Sequence, residues 1–190
     1  MVERCAKLKS NTVVERRQSK PPLSREILVM EKKWLSLITA SIENGLKKIS
    51  NYSLEFPNGV THEDIENAET KLGFTLPEDL KSLLGEFDGV HEHTVTDKGE
   101  KIQVGSILWS LESIIKWHIS CTIPAKARLF CFGGSITGNS FGYLIVDGKP
   151  DESQIWQGDH ETCYPDEQIV WRASNLQDFI STSFIESRWY

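Results

Sequence analysis

The chain has 190 residues, 39% hydrophobic and 25% charged, which is the size of one globular domain plus an appendage and enough to bury a core. Its longest apolar runs, such as Phe141 to Val146, fall far short of the roughly 20 residues a membrane-spanning helix needs, and no signal-peptide core is seen at its start; neither a membrane-spanning helix nor classical export is expected, and a cytoplasmic protein is. The net charge of -6 conceals seven Lys/Arg against three Asp/Glu in residues 1–30 and fourteen against twenty-four in residues 31–190; the acidic body repels nucleic acid and favours a basic protein partner.

Residues 1–29, with Arg16-Arg17, Lys20 and Pro21-Pro22 and few large apolar side chains, bury too little surface to offset chain entropy. They are expected to form a basic, disordered arm, or sequence preceding a start at Met30. A single domain is expected over 30–190. Trp34, Leu35, Ile38, Ile42, Leu46 and Ile49 recur every three or four residues, an amphipathic helix that Asn44-Gly45 can end early. Thr61 before Glu63 and Asp64 caps a second helix, which buries Ile65, Ala68 and Leu72 and stops at Gly73. Pro77, Glu78 and Asp79 open a third, with Leu80, Leu83, Leu84 and Phe87 as its stripe and Asp88-Gly89 at its end.

Strands are expected at 101–104, 107–109, 128–133, 141–146, 154–156 and 168–172, with a short helix capped by Ser110 after the second of them. Asp147-Gly148 and Gly158-Asp159 are turn dipeptides suited to an antiparallel meander. Ser174 is expected to cap a closing helix that turns Leu176, Phe179, Ile180 and Phe184 inward. The fold class is therefore α+β, with N-terminal helices packed on a central, mainly antiparallel twisted sheet and a C-terminal helix.

No enzyme is expected, the one catalytic alternative being a hydrolase that uses Asp159, His160 and Cys163. Gly133 to Gly142 lacks the Gly-Lys-Ser/Thr ending of a phosphate loop and joins two strands with no helix after them. Asp159-His160-Glu161 with Cys163 offers a Cys/His pair by adjacency alone, whereas catalytic partners converge from separate segments. His91 and His93 have two-residue spacing but no third ligand by spacing, and read as a surface loop; no metal and no cofactor are expected. Cys5, Cys121, Cys131 and Cys163 show no zinc-site spacing and read as reduced thiols, Cys131 as a core residue. Most of the six tryptophans are assigned to the core, with Trp156 and Trp189-Tyr190 as candidate contact anchors.

The stretch Gly59 to Val90, GVTHEDIENAETKLGFTLPEDLKSLLGEFDGV, resembles the SUKH superfamily at Gly59, Ile65, Glu69, Leu72, Gly73, Leu76, Pro77, Leu80, Leu83 and Asp88-Gly89. In order after it come an aromatic-rich strand with a glycine loop, a second strand, Trp156, Asp159-His160-Glu161 and a final helix, so the resemblance covers about residues 31–185. It implies a non-catalytic protein-binding domain, foremost an immunity protein that blocks a nuclease-type toxin, alternatively a scaffold or regulator like the yeast cell-wall-assembly members. The acidic Glu86, Asp88, Glu92, Asp159 and Glu161, with Trp156 and His160, are the candidate partner-binding residues, while Glu69 reads as a structural carboxylate.

Overall fold

The computed structural model describes residues 33–45, 51–120, 129–135, 138–158 and 169–186. The basic arm, residues 1–29, lies outside them, as do Cys5, Cys121, Cys163 and Trp189-Tyr190. In chain order the described residues form helix α1 (Lys33–Gly45), strand β1 (Tyr52–Glu55), helices α2 (His62–Leu72) and α3 (Glu78–Glu86), strands β2 (Val90–Val95) and β3 (Lys101–Leu108), helix α4 (Leu111–Ser120), strands β4 (Leu129–Gly134), β5 (Ser140–Val146), β6 (Lys149–Pro150), β7 (Ile155–Gly158) and β8 (Ile169–Ala173), and helix α5 (Leu176–Glu186). The α+β architecture and the closing helix are those the sequence implies.

Local chemistry sets the helix ends. Thr61 accepts from the Asp64 amide while the Asp64 carboxylate accepts from the Thr61 amide, a reciprocal capping box, and Gly73 closes α2 in the left-handed conformation. Glu69, on the inner side of α2, accepts from the Leu76 amide at 2.9 Å and so holds the link to α3, the structural role its position in the motif implied. The closing helix is capped by Asn175 rather than Ser174: the Asn175 side-chain oxygen accepts from the Asp178 amide at 2.8 Å. Both residues are good caps, and the helix starts one residue later than expected.

All eight strands join one sheet in the order β1-β2-β3-β4-β5-β7-β8, with β6 paired to β5, and every pairing is antiparallel. Asp147 and Gly148 both have positive φ, 50° and 78°, as the tight β5–β6 hairpin turn demands. Strands β1 and β2 were not anticipated, because their mixed polar and charged residues have little strand signature. His91 and His93 therefore lie in a paired strand and not in a surface loop. The two strands expected at 101–104 and 107–109 are one, β3, in which the register against β2 slips at two places. Such slips disturb the alternation of side chains, and Ile107 and Leu108 are both buried in consequence.

The helices cover one face of the sheet. Phe132 and Phe141 meet Phe179 of α5, while Phe130 meets Phe74 from the α2–α3 link and His118 of α4. Trp34, Ile38, Leu80, Leu83, Leu84 and Phe87 complete the core from α1 and α3. Of the described tryptophans only Trp34 is fully buried; Trp117 and Trp171 are 38% and 55% exposed, which corrects the assignment of most of them to the core. Indole is large and amphipathic, so a tryptophan in a helix or strand need not be interior.

Candidate partner-binding surface

Three of the carboxylates expected on an acidic rim are engaged within the fold. Both Glu86 carboxylate oxygens accept from the Trp34 amide, at 3.0 and 3.1 Å, and one also accepts from the Leu35 amide at 3.1 Å. The side chain thus serves as the N-terminal cap of α1 from the far end of α3, where a negative charge also complements the helix dipole. Asp88 does the same for α4, accepting from the Leu111 amide at 2.7 Å. Glu92 is 6% exposed on β2 and accepts from the Tyr52 hydroxyl of β1. The structure therefore does not bring these three together on one open surface.

Across the sheet, the face turned away from the helical layer carries two different ends. On β1, β2 and β3 the registers align Glu55, His91, His93, Lys101 and Gln103 on that face. Lys101 pairs with Glu55 at 3.1 Å and His93 approaches the same carboxylate at 3.6 Å. The Lys101 ammonium holds the Glu55 carboxyl below the ordinary carboxylate range, first by its hydrogen bond and then by its charge. At the other end, Trp156 of β7 stands opposite Gly142 of β5 and Trp171 of β8. Trp156 is half-buried, and Trp171 is exposed beside Val170 on the terminal strand of the sheet. Asp159, His160 and Glu161, which follow β7 in sequence, lie outside the described residues.

A third feature lies on α4. Its Trp117 packs against Trp109 with the ring planes tilted by 58° and the centroids 5.3 Å apart, beside a cleft of about 400 Å³ lined by Ser106, Ser113, Lys116 and Ser120 as well. Next to it, α4 and α2 flank a groove of about 770 Å³ whose apolar lining includes Val60, Ala68 and Ile115 and whose charged lining is Asp64, Asp88, Glu112, Lys71 and Lys116, the last shared with the cleft. Burial, with the aromatic rings of Phe74 and Phe130 against it, pushes the His118 imidazole below its usual pKa. Among the described residues, no three His, Cys, Asp or Glu side chains converge as a metal centre would require.

The family model for SMI1 / KNR4 (SUKH-1) matches residues 59–182, from the loop before α2 into α5. The chain belongs to this family. SUKH domains serve broadly as immunity or regulatory modules, are generally non-catalytic and typically bind protein partners. No curated protein matches the chain in sequence.

Seen in the fold, several positions of the SUKH motif answer structural needs. A Cβ on Gly59 would lie 2.0 Å from the Gly85 carbonyl oxygen, so only glycine lets this segment cross the end of α3. Leu80 and Leu83 fill the core, and Asp88 caps α4. The motif thus builds the scaffold, while the exposed Trp171 and the Trp109–Trp117 pair lie outside the motif residues. Sequence reasoning passed over both as interior, and its one usable signal was the alternation on β8, where Val170 and Trp171 cannot both face a core. No helix among the described residues is long and apolar enough to cross a membrane.

Proposed function

We propose that this SUKH domain is an immunity protein that binds a basic, nuclease-type toxin and blocks its nucleic-acid site. The observation that carries the reading is family membership joined to the charge of residues 31–190, fourteen Lys/Arg against twenty-four Asp/Glu. A nuclease must attract a polyanion, and a strongly acidic protein competes for the same field. Trp171 supports the reading as an exposed aromatic anchor beside Trp156. Asp159, His160 and Glu161 join the proposed interface as the charged run that follows Trp156. The alternative, a scaffold or regulator, rests on the same family match and differs in the partner's identity.

Affinity capture with the full chain, followed by mass spectrometry, should return a basic protein whose nuclease activity is abolished at a 1:1 ratio. Recovery of nucleic acid alone, or of a partner without nuclease activity, would remove the toxin reading. With that partner in hand, replacing Asp159 and Glu161 by Asn and Gln should slow association and flatten its dependence on ionic strength. Unchanged rates at two salt concentrations would take these two residues out of the interface.

A further inference from the structure

The Trp109–Trp117 cleft has a composition unlike the acidic chain around it. Two indoles form its apolar wall, three serines supply hydroxyls, and its charged group is Lys116, which also borders the neighbouring groove of Asp64, Asp88 and Glu112; among the described residues no carboxylate lines the cleft itself. Glu112 precedes Lys116 by four residues on α4, the order in which a helical Glu–Lys pair is favoured, yet the two do not pair. Trp109 is fixed from below, since a Cβ on Gly134 would come within 3.2 Å of its ring. Trp117 remains 38% exposed, and Ile119 on the same helix 60% exposed.

We propose that this cleft docks an acidic, apolar segment of a protein partner, one aromatic or branched side chain entering beside the indoles and a neighbouring carboxylate meeting Lys116. Charge selects the occupant. Two indoles alone would also attract a cation, but an ammonium arriving here meets Lys116, whereas a carboxylate gains that charge and the serine hydroxyls. The inference rests on the protein-binding reading and adds a point of specificity to it: a basic partner that must also place a carboxylate against Lys116 is fixed in register, and partners lacking one are disfavoured.

The cleft can be tested without the partner. In 15N–1H correlation spectra of the full chain, the indole N–H signals of Trp109 and Trp117, assigned through Trp109→Phe and Trp117→Phe, are followed during titration with phenylacetate, benzyl alcohol and benzylamine. A unit charge about 4 Å away in water is worth about fivefold in affinity. Phenylacetate should therefore bind about fivefold more tightly than benzyl alcohol and benzylamine about fivefold more weakly, and Lys116→Glu should invert that order. No shift of either indole with any probe overturns the proposal, as does an order that Lys116→Glu leaves unchanged. Once a partner is captured, Lys116→Glu and Trp117→Ala should each weaken it at least fivefold; full affinity in both variants overturns the docking role while leaving the protein-binding reading intact.

Discussion

Replacing Gly59 by alanine should destabilise the domain, and replacing Gly85, the residue it touches, should do the opposite. The added Cβ at 59 would stand 2.0 Å from the Gly85 carbonyl oxygen and 2.5 Å from its carbon, about 1.4 Å inside ordinary van der Waals contact with the oxygen. Both neighbours are backbone at the end of α3, so no side chain can swing aside. The 58–60 segment must retreat, stretching the hydrogen bond from the Val60 amide to the Leu84 carbonyl, now 2.9 Å, and the bridge between Asn58 and Phe87. Two backbone interactions at ~1 kcal/mol each, plus loosened packing of Phe56 on Phe87, give a loss of about 2–4 kcal/mol. For a chain of this size that lowers Tm by roughly 5–15 °C. A Cβ on Gly85 meets nothing within 4 Å, and alanine there gains about 0.5–1 kcal/mol of helix propensity. Urea and thermal unfolding followed by far-UV circular dichroism measure both. Gly59→Ala within ~0.5 kcal/mol of the parent, or Gly85→Ala equally damaging, would refute the close-approach argument.

Glu86→Gln should cost about 1–2 kcal/mol in unfolding free energy, because the α1 amides lose a charged acceptor; no change in the urea midpoint would return Glu86 to the list of purely surface acids. Asp88→Ala should cost a similar ~1–2 kcal/mol through the start of α4, and a hydrogen-exchange experiment should show the α4 amides opening more readily than those of α2. His118 has a folded pKa pushed below the ordinary imidazole value by burial, so the folded chain takes up its proton less readily than the unfolded chain. The stability this contributes is present above about pH 6.5 and is lost as pH falls through the lowered folded value. His118→Phe should narrow the difference between urea midpoints at about pH 7.5 and about pH 5; an unaltered difference would show that other groups set the acid limb. Trp171→Ala should leave Tm nearly unchanged and weaken the captured partner by ~2 kcal/mol or more, read by calorimetric titration.

Local sequence determined the parts of this protein whose physics is local. The capping box at Thr61, the left-handed stop at Gly73, the Pro77 opening and the Asp147-Gly148 turn act within a few residues, and each was legible before any contact was known. The 3.6-residue stripes on α2, α3 and α4 showed which faces point inward, and the ordered motif from Gly59 to Val90 placed the chain in its family. Tertiary structure alone decided what the carboxylates do. Glu86 meets α1 across 52 positions and Asp88 meets α4 across 23, and a carboxylate that caps a distant helix has the same sequence appearance as one that faces water. Strands β1 and β2 were hidden for a related reason, since β2 is held between β1 and β3, and β1 against β2, by pairings to distant segments and not by a hydrophobic alternation of their own. The same holds for the tryptophans: hydrophobicity is a property of the residue, but exposure belongs to the surface it lands on, and only the folded sheet and α4 separate the buried Trp34 from the open Trp117 and Trp171.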